Sequence, residues 1–120
     1  MSGRILVADD NAASRELIRE VLEMSGYDVV EAADGQDAVS RARANPPDLV
    51  LVDIQMPRLD GYGVLRELRA DKLLSNLPVV ALTAYAMQGD RDRALHAGFN
   101  GYITKPVDIA ALRLEIRKFL

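Results

Sequence analysis

Two kinds of apolar pattern alternate along the chain. One is the short unbroken run: Ile5-Leu6-Val7-Ala8, Leu49-Val50-Leu51-Val52 and Val79-Val80-Ala81-Leu82. None of these alternates apolar with polar, so each predicts a strand covered on both faces, as in a parallel sheet flanked by helices. Pro78 stands at the start of its strand, where no ladder donor is lost. The other pattern has helical spacing. Leu17, Ile18, Val21 and Leu22 predict a helix from Ala12, with Asn11 as N-cap and Gly26 as its stop. Ala38, Val39 and Ala42 mark a short helix over Gln36 to Ala44, ended by Asn45-Pro46-Pro47. Val64, Leu65 and Leu68 define a third after Gly61, and a polar loop near Ser75-Asn76 ends it. Ile109, Leu112, Ile116 and Phe119 form the core face of a last helix capped by Asp108. Between these, Ala84 to Ala97 reads as helical but weakly amphipathic, interrupted by Gly89 and closed by Gly98, and is expected to be the least rigid of the five helices.

Two further strands complete the pattern. Tyr27 to Ala32 carries Asp28 and Glu31, the charged content of an edge strand, and Asp34-Gly35 turns it; Tyr102-Ile103 is a short fifth strand. Five strand-helix units in 120 residues predict an α/β fold, a doubly wound five-stranded parallel sheet with five helices, as one domain over residues 1–120. A chain of this size buries roughly two thirds of the surface its unfolded form exposes.

Composition narrows the function. Without cysteine there is no disulfide framework, thiolate metal site or cysteine nucleophile. The apolar runs are far shorter than a membrane span, and no N-terminal segment has signal-peptide length, so a cytoplasmic protein with no membrane partner is expected. A net charge of -3 with scattered arginines argues against a nucleic-acid partner.

The chemistry stands at the strand ends. The first strand ends in Asp9-Asp10, the third in Asp53, the fourth in Thr83 and the fifth in Thr104-Lys105-Pro106. In open α/β sheets ligands gather outside the carboxyl ends of the strands, so these residues share one rim. Carboxylates about 4 Å apart repel by about 4 kcal/mol per pair at an effective dielectric near 20, which calls for a cation among them. All-oxygen ligands favour Mg²⁺ over zinc or copper. Lys105 adds a point charge and Thr83 a hydroxyl, an arrangement suited to phosphoryl oxygens during transfer, with Asp53 as nucleophile and an aspartyl phosphate as product.

Asp9-Asp10, Asp53 with Pro57 and Asp60-Gly61, Thr83-Ala84, and Tyr102 before Lys105-Pro106, in this order and spacing, resemble the receiver domain of bacterial two-component response regulators. The likeness runs from end to end. Asp10-Asn11, Ala81-Leu82-Thr83-Ala84 and Ala86-Met87 to Gly89-Asp90-Arg91 further resemble receivers of hybrid kinases and single-domain regulators of the cell-fate phosphorelay type. The resemblance implies the flavodoxin-like strand order 2-1-3-4-5 and a signalling switch, not an enzyme beyond its own phosphoryl acceptance and hydrolysis. It implies that Asp53 takes phosphate from a histidine kinase or phosphotransfer protein. Asp10, Asp53 and the backbone carbonyl of Gln55 would hold Mg²⁺, and Asp9 would act mainly through a bound water. Lys105 would pair with the phosphoryl group; Thr83 would swing towards it, and the ring of Tyr102 would fill the vacated space. The surface of the fourth helix, fifth strand and fifth helix would then meet a downstream protein effector. The family turn also implies a cis Lys105-Pro106 bond. Gln55 and Tyr85 flank the site at positions that vary within the family. With the last helix running to the end of the chain, output by protein contact is expected.

Other readings compete. Asp53 alone reads equally well as a helix cap or loop anchor; the company of Asp9, Asp10, Thr83 and Lys105 favours chemistry. Tyr102 alone reads as core, His96 as a solvated side chain, and Arg91 and Arg93 as a solvated helix face. Leu114 points away from the core face. A haloacid-dehalogenase-like phosphohydrolase would need an acid two residues after Asp9, where Asn11 stands. An FMN carrier would need a Ser/Thr/Gly-rich phosphate loop in place of two carboxylates. A phosphate-independent receiver used as an interaction module stays open; loss of site residues would favour it, and none is lost.

Overall fold

The structure, a computed structural model, describes residues 3–84 and 88–120. Tyr85, Ala86 and Met87, singled out above, lie outside the described residues. Strands β1 (Arg4–Ala8), β2 (Asp28–Ala32), β3 (Leu49–Asp53), β4 (Val79–Thr83) and β5 (Gly101–Thr104) alternate with helices α1 (Ala12–Met24), α2 (Gly35–Ala44), α3 (Gly61–Ala70), α4 (Gln88–Ala97) and α5 (Ile109–Arg117). All strands are parallel, in the order β2-β1-β3-β4-β5 expected from the sequence, and β2 with its two acids is an edge.

Alternate residues of the unbroken apolar runs serve opposite layers, which is why those runs carry no polar position. Leu6, Val50, Val52, Val79 and Ala81 pack with Ala38, Val39 and Ala42 of α2, Val64, Leu65 and Leu68 of α3, and Ala94 of α4. Ile5, Val7, Leu49, Leu51, Val80 and Leu82 pack with Ile18, Val21 and Leu22 of α1 and Leu112 and Ile116 of α5. The caps are those the sequence predicts: Asn11 Oδ1 accepts from the Ser14 N–H at 3.0 Å, and Asp108 Oδ1 from the Ala110 N–H at 3.0 Å. Gly26 and Gly98 end their helices at φ +94° and +116°, where a Cβ would be strained.

Several expectations shift. Leu17 is 45% exposed because the buried stripe of α1 runs through Ile18, Val21 and Leu22, leaving Leu17 on its flank. Ile109, 43% exposed, is the first residue of α5, and the buried stripe begins at Leu112. Asp34, read as a turn residue, is the N-cap of α2, accepting from the Asp37 N–H at 2.8 Å, and α2 starts at Gly35 instead of Gln36. Ala84, expected to open α4, is an exposed bend directly after β4, and the described part of α4 spans Gln88–Ala97.

Candidate functional site

Backbone hydrogen bonds carry each ladder just past its last strand residue, and that sets the site residues on the rim. The Asp9 N–H donates to the Ala32 carbonyl at 3.1 Å, the Ile54 N–H to the Leu82 carbonyl at 2.9 Å, and the Lys105 N–H to the Thr83 carbonyl at 2.7 Å. After Asp53 the chain folds back on itself. A tight turn at Arg58, φ +70°, is closed by the Leu59 N–H donating to the Pro57 carbonyl at 2.8 Å. The Leu59 carbonyl rests on Gly35, where an added Cβ would lie 2.0 Å away. The Gly61 N–H donates to the Ile54 carbonyl at 2.9 Å, and a Cβ on Gly61 would stand 2.7 Å from Ile54 Cα and 2.8 Å from the Asp53 carbonyl oxygen. Both glycines are therefore conditions of the loop's path.

Asp9, Asp10 and Asp53 bring carboxylate oxygens within 4.8 Å of one another. Asp9 and Asp53 are buried, whereas Asp10 faces solvent. The cation that such crowding requires is supplied in this structure by the chain itself. Lys105 Nζ lies 2.6 Å from Asp53 Oδ2 and 2.8 Å from Asp9 Oδ2. The contact with Asp53 is an aligned hydrogen bond; that with Asp9 is an ion pair by distance only, and the buried Asp9 Oδ2 has no aligned donor. The other oxygens are held locally, Asp53 Oδ1 by the Gln55 N–H and Asp9 Oδ1 by the Asn11 N–H, both at 2.9 Å.

Burial pushes the Asp53 carboxyl above its ordinary value; the bonds from Lys105 and Gln55 offset this only in part, and the neighbouring Asp9 charge adds to the rise. Burial pulls the Lys105 ammonium down, but the hydrogen bond it donates to Asp53, the close contact with Asp9 and the attraction of both carboxylates outweigh it and leave the ammonium above its ordinary value. A lysine between two carboxylates is thus held charged, while the carboxylate it satisfies best is still short of its full solvation. The Lys105-Pro106 bond is cis, as expected.

Thr83 is buried at the end of β4, and Tyr102 is half-buried in β5. Their side chains share a hydrogen bond; burial first, then the Asp90 carboxylate, raises the Tyr102 hydroxyl above its ordinary value.

The model of the response regulator receiver domain matches residues 5–117. The chain belongs to that family. It is 36% identical over 120 residues to the polar-differentiation response regulators DivK of Brucella ovis and Brucella suis, covering all of this receiver and 98% of each relative. Among solved structures it is similar to the receiver domain of the sensor histidine kinase PA1611 of Pseudomonas aeruginosa PAO1, determined with a magnesium ion in its active-site cleft. That match is 39% identical with TM-score 0.90, covering 99% of this chain and 98% of that one. The chemotaxis protein CheY4 of Vibrio cholerae, 24% identical, shares the fold at TM-score 0.92 over the full length of both chains. Single-domain regulators and hybrid-kinase receivers are thus both among the relatives, the two subtypes the sequence resembles. Receiver domains are signalling switches that bind Mg²⁺ at an acidic pocket and work between histidine kinases or phosphotransfer proteins and downstream effectors. Among the described residues no helix is long and apolar enough to cross a membrane.

Asp9, Asp10, Asp53 and Lys105 form one cluster, Gln55 touches it through its backbone, and Thr83 with Tyr102 forms a joined pair beside it. Three features escaped the sequence reading. Lys105 bridges two carboxylates, its long side chain reaching from the end of the edge strand β5 past β4 to the ends of β3 and β1. Arg15 Nη1 donates to the Asp9 carbonyl at 2.7 Å, which its place in the first turn of α1 makes possible. Arg93, exposed as expected, also stands over the Tyr62 ring at 5.3 Å. His96 is exposed, as expected, with Nδ1 3.0 Å from the Asp92 carbonyl oxygen.

Proposed function

We propose that Asp53 is the phospho-acceptor of this receiver and that a kinase or phosphotransfer phosphohistidine is the donor. The observation that carries this is the set of three carboxylates within 4.8 Å of one another, with Lys105 Nζ 2.6 Å from Asp53. In transfer, an Asp53 oxygen bonds to phosphorus as the donor's P–N bond breaks and its electron pair stays on the imidazole nitrogen. Oδ2 is bonded to Lys105 in this structure, and transfer exchanges that bond. The ammonium then pairs with a phosphoryl oxygen instead, and the Gln55 N–H keeps the carboxylate oriented through Oδ1.

The residues fit Mg²⁺. The donors are all oxygen, one of them is a buried Asp9 oxygen with no aligned donor, and Asp10 faces water, leaving room for water ligands. Asp10, Asp53 and the Gln55 backbone carbonyl would hold the ion, with Asp9 acting mainly through a bound water. Bound there, Mg²⁺ neutralises phosphoryl charge. Once Asp53 is phosphorylated, Thr83 exchanges its bond with Tyr102 for one to the phosphoryl group, and the Tyr102 ring moves inward. The changed surface of α4, β5 and α5 is what a protein effector reads; Leu114, 63% exposed beside Ala110 and Ala111, gives it an apolar foothold. Hydrolysis of the acyl phosphate by water resets the switch.

Incubation with acetyl phosphate and Mg²⁺ followed by intact mass tests the reading. One phosphoryl group should add to the protein and none to Asp53→Asn. An undiminished adduct on the variant would reject Asp53 as acceptor.

A further inference from the structure

We propose that Tyr62 and Arg93 are positioning residues that link the loop after Asp53 to α4, by a route separate from the Thr83–Tyr102 pair. This rests on Asp53 as phospho-acceptor and adds a second line of coupling from the same site.

The route begins where α3 meets the loop. Gly61 lies so close to Ile54 and to the Asp53 carbonyl that a single Cβ would not fit, and its N–H is bonded to the Ile54 carbonyl. Any displacement of the Asp53–Ile54 backbone therefore moves the first turn of α3, whose second residue is Tyr62. The Tyr62 ring meets Phe99 edge-on, with centroids 5.5 Å apart at 71°, and carries the Arg93 guanidinium over its face at 5.3 Å. Phe99 is buried at the end of the α4–β5 turn, and Arg93 belongs to α4 itself. One ring thus touches α4 and the segment that follows it.

Two features make this contact count. Ala94 is the one fully buried residue of α4 among those described, so the helix has little apolar hold on the body. Arg93 makes no ion pair among the described residues, so its side chain is committed to the ring and not to a neighbouring acid. The far end of α4 is pinned: Arg69 Nη2 donates to the Gly98 carbonyl at 3.3 Å and to Asn100 Oδ1 at 2.8 Å, and Arg69 Nη1 to the Leu77 carbonyl at 2.7 Å. With residues 98–100 held, Arg93 acts on the helix at a distance from the pivot, and the helix responds by rotating about its C-terminal end. Asp90, also on α4, is next after burial among the causes that raise the Tyr102 hydroxyl, so both routes end against the same helix.

The test is amide hydrogen exchange of residues 88–97 in the full chain, with and without acetyl phosphate and Mg²⁺, with intact mass read on the same samples. Arg93→Gln and Tyr62→Leu should accept phosphate as the parent does while losing about 2- to 5-fold of the phosphate-dependent change in α4 protection, the equivalent of an exposed cation–π contact. Arg93→Lys and Tyr62→Phe keep the cation and the ring face and should retain most of the response. Arg93→Gln keeps most of the stem's packing and loses only the cation, so rescue by Arg93→Lys separates the charge from packing. A full mass increment with an unaltered α4 response in Arg93→Gln and Tyr62→Leu, or the same loss in the conservative pair, overturns the link while leaving Asp53 as acceptor. No mass increment in the parent overturns the acceptor assignment and this link with it.

Discussion

Helices α1 and α4 lie on opposite faces of the same sheet and are held to it very differently. Helix α1 sets Ile18, Val21 and Leu22 fully into the core, has a side-chain N-cap at Asn11, and is tied to the edge strand by Arg15 and Arg19, which both pair with Glu31. Helix α4 buries Ala94, leaves Leu95 40% exposed, and depends on the Arg93–Tyr62 stack and the turn pinned by Arg69. An apolar side chain the size of isoleucine contributes several times what one alanine does. A chemical event worth a few kcal/mol can therefore displace α4 without disturbing α1. In the proposed switch, the helix that fixes Asp9 and its neighbours stays in place while α4, on the proposed output side, shifts.

Core truncation should separate the two most sharply. Ile18→Ala removes a side chain with no exposed area and should cost about 2 to 5 kcal/mol. Leu95→Ala should stay within about 0.5 kcal/mol. Urea unfolding of both variants gives the two numbers, and comparable costs would mean that α4 is as firmly seated as α1.

The next effect lies in coupling. Thr83→Ala should still accept phosphate at Asp53, because Thr83 supplies no ligand to the carboxylate, but should lose most of the difference in effector affinity between the two states. A charge-assisted hydrogen bond of about 1.5 to 3 kcal/mol corresponds to about a 10- to 100-fold shift in population. Titrating the effector against both forms checks it, and an undiminished affinity ratio would show that α4 is not moved through Thr83.

Much of this difference was legible in the chain. The unbroken runs ending at Ala8, Val52 and Leu82 announced covered parallel strands, and the acids, hydroxyl and lysine that follow them announced a rim site, because strand period and chain direction fix where such residues emerge. Weak amphipathicity in α4 was visible too, since Ala94 and Leu95 are its only sizeable apolar positions between Asp90 and Ala97. What escaped was set by three-dimensional neighbours. Alanine has the highest helix propensity of any residue type, yet Ala84 lies in a bend, because the way the chain leaves β4 overrides it. The exposure of Leu17 and Ile109 is a matter of where each helix rotates onto the sheet, which spacing alone leaves open by one position. Lys105 as the resting counterion and Arg93 over Tyr62 join residues 52 and 31 positions apart, beyond the reach of local pattern.

A smaller effect is expected at Asp53, the proposed acceptor. Asp53→Asn leaves Lys105 paired with Asp9, so no buried charge is stranded, and stability should hold or rise by up to about 1 kcal/mol in metal-free buffer. The sign follows from the raised Asp53 carboxyl. A carboxyl whose folded value lies above its unfolded one carries a penalty that is full above the folded value and absent below the unfolded one, ordinarily 3.8. The variant's advantage should accordingly shrink as pH falls through that window. A gain that grows on acidification would contradict the buried, under-solvated carboxylate described above.

The smallest effect tests the electrostatic tie on the α1 side. Burial raises the Glu31 carboxyl, but hydrogen bonds and attraction from Arg19 and Arg15 outweigh it and leave the group below its ordinary value of 4.5. Because the folded value is depressed, Glu31 contributes stability that is fully present above the unfolded value and is lost as pH falls through the folded one. Both arginines are partly open to water, so screening keeps the contribution small and salt-sensitive. Glu31→Gln should therefore lower the unfolding midpoint slightly at neutral pH, with the deficit closing as pH falls below 4.5 and narrowing in high salt. Amide exchange should locate the loosening in α1 and β2, with α4 protection unchanged. Loosening that reached α4 instead would mean that the two helices are not independently held, and the contrast between them would fail.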